Sequence, residues 1–176
     1  MKICKLDAMA CAAALDQLDD LLLDAVAHGA SLGFLAGVDG GEARRYWDGV
    51  RAAVADGTHV LLAAAHEGTL VGTVQLALCQ KANGRHRAEV QKMIVHSRVR
   101  RRGLGSVLLR AAEAEARALN RGLLFLDTEA GSGAEQLYRD LGYTRVGEVP
   151  DYACTPGGKW HPTAIYYKTL FAPESA

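Results

Sequence analysis

The sequence predicts a mixed α/β fold: a central sheet of about six to seven strands with helices on both faces. The order of its hydrophobic patterns is the first reason. Two helical segments, preceded by a short strand-like run at 2–6, are followed by three strands, a helix, a strand, a helix and two strands. Strands joined by short turns become antiparallel neighbours, whereas strands separated by a helix form a parallel pair, so the sheet must be mixed. The second reason is composition. At 176 residues, 49% hydrophobic and 23% charged, the chain can bury one sizeable core.

Each element has a local cause. Residues 8 to about 28 read as one amphipathic helix, because Leu15, Leu18, Leu22 and Val26 recur at helical spacing and Gly29 ends the run. A glycine-punctuated loop at 31–41 leads into a second helix at about 42–55, stopped by Gly57. Strand-like runs at 60–66 and 70–80 are joined by Glu67-Gly68-Thr69 and predict a hairpin. Residues 81–87 form a polar loop with the turn dipeptide Asn83-Gly84. Val90, Met93, Ile94 and Val95 then make a short apolar run suited to a buried strand. Arg98, Arg100, Arg101 and Arg102 crowd the next turn, and Gly103 and Gly105 open a helix. Its apolar stripe reads as Leu104, Val107, Leu108, Ala111, Ala118 and Leu119. A buried strand at 123–128 and a short helix at 134–141, carrying Leu137, Tyr138 and Leu141 and ended by Gly142, follow. Strands at 144–149 and 164–169 flank a loop containing Pro and Gly. With no internal repeat, low-complexity tract or linker, residues 1–176 read as a single domain.

Composition also excludes functions. Formal net charge is zero, so no global field draws nucleic acid or anionic membrane. Cys4, Cys11, Cys79 and Cys154 are scattered without metal-like or paired spacing, which fits a reduced, cytoplasmic protein. Asp7 and Asp16 bracket the apolar run at 8–15, which makes it part of an amphipathic helix rather than a signal peptide. No run is long enough to span a membrane. The six histidines share no helical spacing, so no metal site is expected.

Residues 88–110 carry the sharpest chemical signal. A helix N-terminus leaves backbone N–H groups without partners and bears partial positive charge. Glycines let a phosphate approach that backbone closely, and arginines add bidentate partners. The turn is therefore built for an anion. A dinucleotide fold would use a similar loop, with Asp127 about twenty residues on as a ribose-binding acid. Leu108, however, replaces the third glycine of that fingerprint, and the strand lies in mid-chain.

Arg100-Arg101-Arg102-Gly103-Leu104-Gly105 resembles the (Gln/Arg)-x-x-Gly-x-(Gly/Ala) acetyl-CoA signature of the GNAT superfamily of N-acetyltransferases, with Arg101 where many members carry glycine. Leu137-Tyr138-Arg139-Asp140-Leu141-Gly142-Tyr143 resembles the superfamily's second motif. Gly29-Ala30-Ser31-Leu32-Gly33-Phe34, Leu78-Cys79-Gln80-Lys81, Ala88-Glu89-Val90-Gln91-Lys92, Leu126-Asp127-Thr128-Glu129-Ala130-Gly131-Ser132 and His161-Pro162-Thr163-Ala164-Ile165-Tyr166 are similar to acetyltransferases of the tabtoxin-resistance type. Those enzymes inactivate a β-lactam amino-acid toxin. The resemblance implies a GNAT fold with acetyl-CoA as cosubstrate and no metal. It implies that backbone amides around Arg101, Arg102, Gly103, Leu104, Gly105 and Ser106 hold the pyrophosphate. Met93, Ile94 and Val95 would flank the pantetheine arm, Met93 and Val95 through backbone hydrogen bonds. Phe34, Trp47, Tyr152 and His161 fall in segments the superfamily uses around the acceptor, here a small-molecule amine, and each fits a core or capping role equally well.

Amine acetylation needs a neutral nucleophile, yet a lysine-like amine is protonated at neutral pH. A carboxylate must accept its proton. Glu89 and Asp127 interrupt otherwise apolar strands that the order places side by side, and Glu129 is a third candidate. A structural alternative is that they are strand-end acids satisfied by Arg87, Lys92 or backbone. Tyr138, whose ordinary pKa of about 10 lies above that of an alkyl thiol, could protonate the departing thiolate, or could be a core aromatic. Three functions fit: acetylation of a small amine by direct transfer in a ternary complex, acetylation of a protein or peptide amine, or non-catalytic acyl-CoA sensing. Monomer and homodimer both remain open.

Overall fold

A computed structural model describes residues 1–172. Strand β1 (Lys2–Leu6) opens the chain, and the first helical stretch divides into α1 (Ala8–Ala13) and α2 (Leu15–Ala27). The sequence reading of one continuous helix is thus corrected. No proline or glycine marks the break. It falls at Ala14, whose ψ of 4° leaves the helical well while its N–H reaches both the Ala10 and Cys11 carbonyls. The break lets α1 turn its buried Cys11 inward while α2 lays Leu18, Leu21, Leu22 and Val26 on the sheet. Helix α3 (Gly40–Ala55) starts earlier than its apolar pattern, because the Asp39 carboxylate caps it by accepting from the Glu42 N–H at 2.8 Å.

The hairpin forms as expected from β2 (His59–His66) and β3 (Thr69–Leu78). Its two-residue turn has φ of 50° at Glu67 and 79° at Gly68, the conformation whose twist matches the flanking strands. There follow β4 (Arg87–Val95), α4 (Leu104–Ala118), β5 (Leu123–Glu129), α5 (Gly133–Asp140), β6 (Thr144–Cys154) and β7 (Trp160–Thr169). The last two strands are longer than their apolar runs suggest, because ladder hydrogen bonds carry β6 and β7 onward to the Ala153–His161 and Cys154–Trp160 pairs.

The seven strands are ordered β1-β2-β3-β4-β5-β7-β6, and only the β4–β5 pair is parallel. One face packs on α4 and α5 through Val90, Leu104, Leu108, Leu109, Leu124, Leu126, Tyr138 and Tyr166. The other packs on α1 to α3 through Leu18, Leu22, Trp47, Leu61, Ala63 and Ile94. The stripe of α4 is Leu104, Leu108, Leu109, Ala112 and Ala116. Val107 and Ala118, assigned to it by spacing, face solvent, because the sheet selects a narrower arc than helical periodicity alone defines.

Two irregularities at the centre of the sheet shape everything that follows. The parallel β4–β5 ladder holds only from Arg87–Leu123 to Glu89–Phe125, after which the strands share no register. In the same strand β4 carries a bulge: Gln91 pairs with Gln75 and Ile94 with Thr73, so Lys92 and Met93 oppose Val74 alone. Lys92 takes φ of 45° there. The extra residue reverses the side-chain alternation. Val90 packs with the α4 core and Ile94, four residues on, with the α2–α3 core.

Candidate active site

Where β4 and β5 part, a cleft opens, and two cavities meet in it. The first, about 580 Å³, lies at the N-terminus of α4. Arg101 at φ 61° and Gly103 at φ 77° turn the chain so that α4 begins without a side-chain cap. The Val107 N–H is the first to bond back into the helix, to the Gly103 carbonyl at 3.2 Å, so the amides of Leu104, Gly105 and Ser106 precede the helical ladder. Gly72 on β3 lets α4 sit this low. A Cβ there would lie 2.8 Å from the Ile94 carbonyl oxygen and 3.0 Å from Leu108 Cδ1.

Nine of the ten residues expected to hold the cofactor line this cavity: Met93, Ile94, Val95, Arg100, Arg101, Gly103, Leu104, Gly105 and Ser106. Arg102 is exposed and lies outside the lining. Arg100 folds back so that its Nε donates to the Val95 carbonyl at 3.0 Å, closing the turn onto the end of β4. The opposite wall draws on two of the segments that carry the family resemblance, though none of its residues was expected to hold the cofactor. It comes from Ala25 and His28 at the end of α2, the loop residues Gly29, Ala30 and Leu32, and Gly133, Ala134 and Leu137 of α5. Asp24 fixes this wall to the turn after β4, accepting from the Ser97 N–H and Oγ, each at 2.7 Å. Burial opposes ionisation of Asp24, but the Ser97 hydrogen bonds and nearby His96 hold its carboxyl below the ordinary value.

The second cavity, about 420 Å³, shares Gly29, Ala30, Leu32, Met93 and Ala134 with the first. Glu89, Asp127, Glu129 and Tyr138 all line it. Leu124 and Leu126 point into the α4 core, so Asp127 emerges on the other face of β5, as Glu89 does beside Val90 on β4. Neither Arg87 nor Lys92 forms an ion pair with either acid among the described residues. Tyr138 is 6% exposed, its ring 5.8 Å from those of Tyr143 and Tyr166. Burial, with the negative charge of Asp127, pushes its pKa up to about 12.

The four residues assigned to the acceptor end separate. Tyr152 lines the cavity. His161 sits behind Glu129, its Nδ1 3.7 Å from Oε1. Phe34 stacks edge-on against Tyr46 with centroids 5.4 Å apart. Trp47 is fully buried in the α2–α3 core and lines neither cavity.

Two residues matter that the sequence did not single out as site residues. Lys92 projects from the bulge into the second cavity, its Nζ 5.9 Å from the Tyr46 ring centroid. Burial lowers its pKa, against the attraction of Asp127 and Glu89. Glu135, buried at the start of α5, accepts from the Gly131 N–H at 2.7 Å, from Arg145 Nε at 3.2 Å and from the Tyr166 hydroxyl. It anchors the helix that carries Tyr138. The Tyr166 hydrogen bond, foremost among these contacts, holds the Glu135 carboxyl below its ordinary value. Among the described residues, no group of three or more His, Cys, Asp or Glu could hold a metal ion, and no helix is long and apolar enough to cross a membrane.

The geometry sets a helix N-terminus with uncapped amides on one side of a cleft and carboxylates on the other. Residues 24–143 match the sequence profile of the acetyltransferase (GNAT) family. The fold is similar to that of the acetyltransferase yncA from Salmonella typhimurium with its cofactor acetyl-CoA, at 21% identity and a TM-score of 0.78, over 100% of this chain and 97% of that one. It is also similar to a ribosomal-protein-alanine N-acetyltransferase from Brucella melitensis, at 28% identity and a TM-score of 0.77, over 97% of this chain and 100% of that one. An aminoglycoside 6'-N-acetyltransferase complexed with coenzyme A aligns at 18% identity with a TM-score of 0.75, over 99% of this chain and all of that one. The chain belongs to the acetyltransferase (GNAT) family, and is by that membership an acetyl-CoA-dependent N-acetyltransferase.

Proposed function

We propose that this chain acetylates the amine of a small polar molecule by direct transfer in a ternary complex. One observation carries the reading: the anion-binding cavity and the carboxylate-lined cavity meet at Met93, with Tyr138 on the acceptor side of that junction. The uncapped amides of Leu104, Gly105 and Ser106, with Arg101 beside them, fit a diphosphate, and the edge of β4 left free by β5 offers backbone groups to an extended arm. When bound, acetyl-CoA supplies an activated acetyl thioester.

The remaining chemistry belongs to the chain. Glu89 and Asp127 hold the acceptor ammonium in the cleft, and one of them, directly or through water, takes its proton so that a lone pair is free to attack. The Met93 backbone amide is a candidate donor to the developing oxyanion. Tyr138 keeps its proton at neutral pH and gives it to the departing thiolate, whose ordinary pKa is about 8.5. No residue need become acylated.

The sequence likeness to tabtoxin-resistance acetyltransferases supports an amino-acid-like β-lactam toxin, or a related metabolite, as acceptor. A second reading, acetylation of a protein N-terminus, draws on the name of the Brucella structure. Thiol release from acetyl-CoA, measured against a library of small amines and of short peptides, decides between them. Turnover of peptides alone overturns the proposal.

A further inference from the structure

Lys92 sits at the bulge of the central strand β4. In an unbroken strand it would lie on the same face as Val90 and place its ammonium in the apolar core under α4 and α5. The bulge, with its left-handed φ of 45°, turns it instead into the acceptor cavity. Such a conformation is uncommon for a residue with a side chain and persists only where its surroundings impose it. The ammonium comes to rest between the α2–α3 loop and α3, 3.8 Å from the point where a Cβ on Gly33 would stand and near the face of Tyr46. It is partly buried there and makes no ion pair among the described residues; Glu89 and Asp127 act on it only at longer range. A partly buried charge without a partner is less favourable than a solvated one, and a ligand anion would relieve it. One cleft therefore holds two carboxylates that favour an ammonium and a separate ammonium that favours a carboxylate.

We infer that Lys92 binds the carboxylate of the acceptor, so that the cleft takes zwitterionic amino acids, with the amine toward Glu89 and Asp127. This rests on the small-amine reading above and names its substrate class. A merely structural Lys92, serving as a distant counter-ion to the two acids, would affect every amine alike. A carboxylate-binding Lys92 discriminates between amines that differ only in that group.

The test uses matched pairs: L-lysine against 1,5-diaminopentane, L-glutamine against 4-aminobutanamide, and L-phenylalanine against 2-phenylethylamine. Thiol release is followed with saturating acetyl-CoA. In the wild type, kcat/KM should favour the carboxylated member of the productive pair by about ten- to a hundredfold, the size expected of a charge-assisted hydrogen bond. In Lys92→Met, which keeps the unbranched stem, this preference should collapse toward unity through a raised KM for the amino acid. The variant should melt no lower than wild type, since a partly buried, unpaired charge has been removed. An equal rate for both members of each pair in the wild type, or an unchanged preference in Lys92→Met, overturns the inference while leaving the small-amine reading intact. Absence of turnover with every member of every pair, where short peptides are acetylated, overturns both.

Discussion

The two cavities are built from different materials. The one at α4 is made largely of backbone: uncapped amides at the start of the helix and the positive-φ residues Arg101 and Gly103 of the turn before it. The one between β4 and β5 is made of side chains, Glu89, Lys92, Asp127 and Tyr138, gathered from two strands and a helix. A backbone-built site recognises a diphosphate whatever else the molecule carries, so it can be shared by a whole family. A side-chain-built site changes with single substitutions, so it is where specificity resides. Each cavity should accordingly fail in its own way when altered.

The largest effect should come from the backbone site. Acetyl-CoA at about a hundred times its dissociation constant should stabilise the wild type by about 2.7 kcal/mol, or about 5–10 °C in Tm. Gly103→Asp places a carboxylate at the phosphate position on a φ of 77° and should abolish that shift and all turnover. Calorimetry at fixed ligand checks this. A Gly103→Asp protein that still melts cooperatively and is stabilised as well as wild type would dissolve the contrast between the cavities.

The acceptor side should lose rate and keep binding. Glu89→Gln and Asp127→Asn should each lower kcat by about a hundredfold, within the range of general-base contributions, with acetyl-CoA affinity unchanged. Wild-type kcat/KM should rise with pH as the acceptor amine or its base loses a proton. If both amide variants match wild type with the best acceptor, the carboxylates are structural. Next in size, Tyr138→Phe keeps the ring packing against Tyr143 and Tyr166 and removes only the acid. It should cost about ten- to a hundredfold in kcat. An unimpaired Phe variant would make Tyr138 a core aromatic.

The smallest effect on rate, and a real one on stability, should come from Glu135. Glu135→Gln weakens the hydrogen bonds that hold Gly131, Tyr166 and Arg145 around α5 and should destabilise by about 1–3 kcal/mol. Because the folded pKa of Glu135 lies below the unfolded value of 4.5, its contribution is present above that pH and is lost as pH falls through the folded value. The Tm difference between wild type and Glu135→Gln should therefore shrink below pH 4.5. A difference that is constant from pH 7 to pH 3 would show that ionised Glu135 contributes nothing.

What the sequence determined by itself follows from local rules. Alternation and helical spacing set the order of elements, the Glu67-Gly68 turn joined the hairpin, and Gly103 and Gly105 after a strand marked the anion site. All are encoded within a few neighbouring residues. The partners of those elements were decided elsewhere. The break at Ala14 has no local signal; it follows from how α1 and α2 pack. The splaying of β4 from β5 after Glu89 and the bulge at Lys92 depend on ladders whose strands are distant in sequence. Trp47, an aromatic expected near the acceptor, went to the core, whereas Lys92, a polar residue in a strand, went to the cleft. The turn expected to hold a phosphate was legible because a helix N-terminus is contiguous in the chain. The other cavity was legible only in part: Glu89, Asp127, Tyr138 and Tyr152 line it, but the place of Lys92 was not readable, because only the tertiary fold sets which faces of β4, β5 and α5 meet, and one extra residue in β4 reverses the faces of all that follow it in that strand.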